Sequence, residues 1–272
     1  MENKRYQILL TNDDGIMSPG LWAAAEALSE LGYVTVAAPR DQASSTGRSQ
    51  PLSSDGKIAL TKMQIGSQEW DVYAVGGTPA QVVVHSVFEI MSARPDLVVS
   101  GINYGENLGT SVTISGTIGA TLEAASMGIP AIAASLQLAD GKDYLSYSKT
   151  VDFSTAAHFV QYFARLMLEK RMPADVDVLK IDVPFKATPE TEWQISRQDR
   201  QRYYVPFLKE DGDGNGDWKS KLDFRLEVHP ELSPSDSDIT VVCINHKVSV
   251  TPLSIDMTSR VNFDELSALL RK

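Results

Sequence analysis

Asp13 and Asp14 stand side by side where the apolar run Ile8-Leu9-Leu10 ends, and Gly15 follows them. Two adjacent carboxylates repel, so they must be held apart or neutralised. Within a strand neighbouring side chains point to opposite faces. At a strand end the chain turns, and Gly15 supplies the backbone freedom for both carboxylates to swing toward one point. The usual neutraliser is a hard divalent cation, because carboxylate, amide and hydroxyl oxygens suit Mg²⁺, Mn²⁺ or Ca²⁺. The competing reading is a solvated Asp-Asp-Gly turn.

Two further oxygen-rich loops accompany this one. Pro39-Arg40-Asp41-Gln42-Ala43-Ser44-Ser45-Thr46-Gly47-Arg48-Ser49 carries more hydroxyls than a minimal turn needs. Ser100-Gly101-Ile102-Asn103-Tyr104-Gly105-Glu106-Asn107-Leu108-Gly109 combines glycines, which let backbone approach a ligand, with amides that can ligate or donate. Ser115-Gly116-Thr117 then opens an apolar helical run. A serine there can be a plain N-cap, but a helix start also collects anions through its free N–H groups. A phosphate held between that helix and a cation is the chemistry these residues share.

The elements that must position them read as alternating strands and helices, the pattern of βαβ units and a mainly parallel sheet. Expected strands are Tyr6–Leu10, Val34–Ala38, Val72–Val75, Leu97–Ser100, Ala131–Ser135 and Val178–Val183. Expected helices begin at Pro19-Gly20, with Gly32 as terminator, and cover Pro79–Met91, Thr117–Met127 and Phe153–Met172. In an open parallel sheet, ligands bind outside the carboxyl ends of the strands, and each oxygen-rich loop leaves such an end. After Pro184 the texture changes to short strands near Trp193–Ser196, Arg202–Phe207 and Asp223–Val228, an antiparallel and hairpin-rich extension. A final helix is expected from Asn262, with Glu265 in the capping-box position. The expected fold is therefore α/β, a Rossmann-like three-layer body over residues 1–184, with an extension over 185–272 that belongs to the same domain.

The chain has 272 residues, a formal net charge of −10 and ordinary apolar content of 43%. That acidity argues against a nucleic-acid duplex as partner. The opening residues run straight into the first strand, and no run approaches the roughly 20 apolar residues needed to span a bilayer, so a cytoplasmic address without membrane association is expected. The lone Cys243 reads as a buried inert thiol in an apolar strand, Val241–Ile244. A hairpin-rich extension buries little by itself, which predicts packing against the body or a second copy of the chain.

At these motifs the chain resembles the SurE (survival protein E) family of metal-dependent 5′-nucleotidases. The resemblance rests on Leu9–Gly15 with Pro19-Gly20, Ala38-Pro39 with Ser44–Ser49, Gly77-Thr78-Pro79, Ser100–Asn103, Asn107–Gly109, Ser115–Thr117 and Val250–Leu253. It implies hydrolysis of nucleoside monophosphates, one Mg²⁺ or Mn²⁺ per subunit, and metal ligands at Asp13, Asp14, Ser44 and Asn103, with Asp13 and Asp14 catalytic. Gly47, Asn107, Ser115, Gly116 and Thr117 are then expected around the phosphate, with Tyr104 stacking on or walling the nucleoside. Arg48, Tyr104, Gln81 and Ser254 depart from residues frequent in the family and bear on substrate preference more than on metal binding.

Rival readings differ in testable ways. A dinucleotide-dependent oxidoreductase lacks its Gly-x-Gly-x-x-Gly turn here. A non-catalytic nucleotide or metal sensor could use the same ligands without turnover, and a phosphatase could act on a different small ester. Asp211–Gly216 imitates the start of a calcium loop, but Leu222 stands where the bidentate Glu should be. His85, His158, His229 and His246 show no zinc-type spacing.

Overall fold

Strand β1 (Tyr6–Thr11) runs through the middle of a nine-stranded sheet in a computed structural model that describes residues 5–139, 150–209 and 221–271. The flanking elements are α1 (Pro19–Ser29), β2 (Gly32–Pro39), β3 (Ile58–Ile65), β4 (Gln68–Val75), α2 (Pro79–His85), β5 (Leu97–Tyr104), α3 (Gly116–Ser126), β6 (Ala131–Leu136), α4 (Ser154–Glu169) and β7 (Val178–Val183). The C-terminal part adds β8 (Trp193–Ile195), β9 (Tyr204–Lys209), β10 (Lys221–Leu226), β11 (Val248–Leu253) and α5 (Phe263–Leu270). The sheet order is β3-β4-β2-β1-β5-β6-β7-β11-β8. Strands β4, β2, β1, β5, β6 and β7 are mutually parallel; β3 and β11 pair antiparallel at the two flanks.

The parallel body forms because its strands are apolar on both faces. Ile8 and Leu10 join the core beneath α1 and α4, while Leu9 turns into the one beneath α2 and α3. This period-2 division makes three layers. After β2 and β4 the chain crosses back to place β5 on the other side of β1. The order therefore reverses between β1 and β5, the topological switch point where an α/β sheet opens a crevice.

Several boundaries differ from the sequence reading. β3 was not expected, and it is an edge strand with mostly exposed residues, so it carries little hydrophobic pattern. β5 continues past Ser100 to Tyr104 across a bulge in its pairing with β6. Residues Val241–Ile244 lie in a π-helical turn, Thr240–Ile244, rather than a strand, and Cys243 is half-buried there. Burial nevertheless pushes its thiol up to about 12, which keeps it protonated and unreactive. β8 and β11 extend the central sheet, so part of the C-terminal region is woven into the body. β9 and β10 form the expected antiparallel hairpin. Asp211–Gly216 lies outside the described residues.

The close packing of α1 on β5 needs a missing side chain. A Cβ at Gly20 would lie 2.1 Å from the carbonyl oxygen of Ile102. That obstacle is backbone and cannot rotate away. Gly20→Ala is therefore expected to destabilise the protein by about 1–3 kcal/mol, read as a lower thermal midpoint; an unchanged midpoint would contradict this approach.

Candidate active site

The turn after β1 closes on itself before it presents its carboxylates. The Asn12 side chain accepts from the N–H of Gly15 at 3.1 Å and donates to its carbonyl at 3.0 Å. Gly15 adopts φ +98°, the left-handed region that favours glycine. Asp13 and Asp14 are both buried. The Thr117 hydroxyl donates to Asp13 Oδ1 at 2.5 Å, and the N–H groups of Gly116 and Thr117 also favour its charge. Asp14 accepts from the Tyr104 N–H at 3.2 Å and from Gln42 Nε2 at 3.4 Å. Gly116 must stay bare, since a Cβ there would lie 2.7 Å from the Asp13 Cβ.

A cleft of about 740 Å³ opens above this pair and collects Asp13, Asp14, Ser44, Asn103, Tyr104, Asn107 and Ser115 from the sequence-predicted set. Asn103 reaches it because the bulge in β5 re-aims the strand end. Its Nδ2 donates to the carbonyls of Tyr104 and Gly105 at 3.2 and 2.7 Å, so Oδ1 is the atom that could ligate a cation. The Ser44 side chain is exposed at the rim. Ser115 caps α3, accepting from the Ile118 N–H at 3.2 Å. Asn107 donates to Ser135 Oγ at 2.9 Å.

Other expected residues lie outside the cleft lining or make contacts of their own. Gly47 does not line the cleft; its N–H donates to the Ile114 carbonyl at 2.9 Å and the turn packs on Gly119. Gly116 and Thr117 lie beneath the cleft and hold Asp13. Tyr104 lines the cleft as well, but the residue is only 5% exposed and its ring packs edge-to-face on Phe153 at 4.8 Å, so most of it is in the core. Among the departures, Gln81 completes the capping box of α2 with Thr78, Arg48 pairs with the buried Glu123 at 2.7 Å, and Ser254 donates to Asp175. Sequence reading missed the apolar wall of the cleft: Tyr204, Leu222, Phe224 and Leu226 of the β9–β10 hairpin, with Asp223 and Glu106 beside it. The signal was present in the alternation Leu222-x-Phe224-x-Leu226, an apolar strand face that has no helix to cover it.

Electrostatically the cleft is one-sided. Its described lining includes Asp13, Asp14, Glu106 and Asp223 and no Lys, Arg or His. Burial raises the Asp13 carboxyl above its usual range. Burial and then the adjacent Asp13 charge push Asp14 well above it. Among the described residues no three His, Cys, Asp or Glu side chains gather as a metal cluster. The donor set is instead two carboxylates, a hydroxyl and an amide oxygen, all hard ligands. That chemistry fits a divalent cation and leaves a bare pair poorly compensated.

Glu106 gives a pH signature. Burial raises its carboxyl from 4.5 to about 7, opposed by the Tyr203 hydroxyl that donates to Oε1, while the Asp182 charge adds to the rise. The folded state thus binds this proton more tightly than the unfolded chain, so stability falls as pH climbs from about 4.5 to about 7 and then levels. For this group the loss is on the order of 3 kcal/mol. Glu106→Gln should therefore gain stability relative to the native chain between pH 5 and pH 8 in chemical denaturation. An equal difference at both pH values would contradict the assignment.

The family model described as "Survival protein SurE" matches residues 8–205. A protein named 5′-nucleotidase SurE from Thermococcus kodakarensis is 42% identical over 267 residues, covering 97% of this chain and 98% of its own. One of the same name from Methanothrix thermoacetophila is 40% identical, covering 97% and 98%. The crystal structure of the SurE protein from Aquifex aeolicus superposes with a TM-score of 0.74 at 31% identity, covering 98% of this chain and all of that one. Relatives that match along nearly the whole length, over a sheet whose switch point gathers the motif residues, show that the chain belongs to the SurE family.

Proposed function

We propose that the chain is a divalent-metal-dependent phosphomonoesterase that hydrolyses nucleoside 5′-monophosphates to nucleoside and phosphate. The observation that carries this reading is the buried Asp13–Asp14 pair in a cleft whose described lining has no basic side chain. Relatives named 5′-nucleotidase supply the substrate class.

Asp13, Asp14, Ser44 and Asn103 are the residues that would hold one Mg²⁺ or Mn²⁺. When bound, such a cation supplies Lewis-acid polarisation of the phosphate and lowers the pKa of water. The rest is the work of this chain. Thr117 and the first N–H groups of α3 fix the Asp13 carboxylate, and the Tyr104 N–H fixes Asp14. Asn107 and Ser115 face the cleft with groups that can donate to phosphate oxygens. Water is the nucleophile in this account, because both carboxylates are committed as ligands; it adds to phosphorus while the ester oxygen leaves with a proton as the nucleoside hydroxyl. Tyr204, Leu222, Phe224 and Leu226 give an apolar surface against which any base can lie, consistent with modest base discrimination. No helix among the described residues is long and apolar enough to cross a membrane.

The same hairpin exposes Phe207 and Leu208, and α5 buries none of its residues while exposing Phe263, Leu269 and Leu270. We propose that a second copy of the chain covers these surfaces, giving a homodimer or homotetramer. Light scattering at micromolar concentration should then return a multiple of 29.7 kDa, and a monomer would refute the assembly.

Phosphate release tests the chemistry. Chelation should abolish turnover of nucleoside 5′-monophosphates, and Asp13→Asn or Asp14→Asn should lower kcat by orders of magnitude with the fold retained. Phe224→Ala should raise KM for nucleotides while sparing a small aryl phosphate. Nucleoside 3′-monophosphates, short polyphosphate and sugar phosphates complete the panel. Preferential turnover of sugar phosphates would overturn the nucleotidase reading, and full activity after exhaustive EDTA would overturn the metal.

A further inference from the structure

Behind the cleft lies a buried charge cluster that the reaction does not itself use. Lys180 on β7 has no exposed surface, and its Nζ contacts Asp182 and, at 3.1 Å, Asp238. Both carboxylates are fully buried as well. Replacing such an ion set with well-packed apolar residues is often neutral or stabilising, so stability alone is a weak reason for it. Its hydrogen bonds point to a different one. Asp182 Oδ1 accepts the Asn107 N–H at 2.8 Å, and Asp238 Oδ2 accepts the Gly109 N–H at 3.1 Å. The other Asp238 oxygen accepts the N–H groups of Asp199 and Ile239, each at 2.9 Å. One lysine thus gathers two carboxylates, and the two carboxylates grip the loop that carries Asn107.

That loop is also held from outside the cluster. The Gly105 N–H donates to the Leu136 carbonyl at 2.8 Å, the Thr110 N–H donates to the Gln201 carbonyl at 2.9 Å, and Gln198 donates to the Gly109 carbonyl at 3.1 Å. The Asn107 amide spends one Nδ2 proton on Ser135 and keeps the other for the cleft. We propose that Lys180, Asp182 and Asp238 are positioning residues that lock the Asn107–Gly109 backbone, so that Asn107 meets the phosphate group at a fixed place. This rests on the phosphatase reading for its kinetic consequence, but not for its structural one. Without the lysine, two buried carboxylates would repel, and the loop they grip would lose its fixed position.

The test uses the full chain with Lys180→Met, in the native background and with Asn107→Ala. The readouts are kcat/KM for an aryl phosphate, the inhibition constant of inorganic phosphate, and hydrogen exchange across residues 105–110. Lys180→Met should lower kcat/KM and weaken inorganic phosphate by on the order of 10- to 100-fold. With Asn107→Ala already present, the further loss should be under about threefold, because both substitutions act through one group. Lys180→Met combined with Asp182→Asn, which restores the charge balance and keeps an acceptor for the Asn107 N–H, should recover part of the loss. Unchanged kinetics in folded Lys180→Met, or a full multiplicative loss beside Asn107→Ala, would overturn the proposal. If Lys180→Met does not fold, Asp182→Leu, which removes the acceptor of the Asn107 N–H, takes its place under the same criteria. Exchange at 105–110 should quicken in the variant, and unchanged exchange would also overturn the proposal. A native chain with no phosphatase activity would sink the functional reading while leaving that exchange test intact.

Discussion

Two carboxylates on consecutive residues, both withdrawn from water, set the terms for everything around them. Asp13 and Asp14 are 4% and 3% exposed. Burial alone disfavours their charge, and each makes the other worse. The fold answers with local donors: a threonine hydroxyl and helix N–H groups for Asp13, a backbone N–H and a glutamine amide for Asp14. These donors are neutral. They orient the pair without cancelling its charge, and the described cleft lining brings no cation of its own. A site held in this condition is prepared for a charge from outside.

The rest of the architecture brings further oxygen-bearing side chains to that point. The reversal of strand order puts the ends of β1 and β5 side by side. The bulge in β5 carries Asn103 into the crevice, and Gly116 lets the start of α3 approach Asp13. The Lys180 cluster reaches the same crevice from β7, and its Asp238 lies in the C-terminal region beside Asp199. The segment after Pro184 therefore contributes twice, through these buried anchors and through the apolar hairpin that walls the cleft.

Much of this was legible in the sequence because the chemistry and the patterning coincide. Ile8–Leu10 is apolar on both faces and ends in the acidic turn, so the strand and the candidate ligands are read from one stretch. Val178–Val183 is an uninterrupted strand signal even though it conceals a buried lysine and aspartate. Tyr104 is ambiguous in the sequence because an aromatic at a strand end is equally suited to a core and to a ligand; it borders the cleft while its ring packs on Phe153 across the layer, a contact local pattern does not encode. Cys243 was misplaced for a related reason, since a short apolar run fits a strand or a buried helical turn equally well. The hairpin wall and the Lys180 clamp depend on pairings between residues far apart in the chain, which local periodicity does not encode.

The central claim is that the Asp13–Asp14 pair is built for a divalent cation. Calorimetric titration of Mn²⁺ into the metal-stripped full chain tests it without reference to any substrate. The account predicts one ion bound per chain, with the heat signal lost in the folded Asp13→Asn/Asp14→Asn double variant. Undiminished binding in that variant, or none in the native chain, would contradict it.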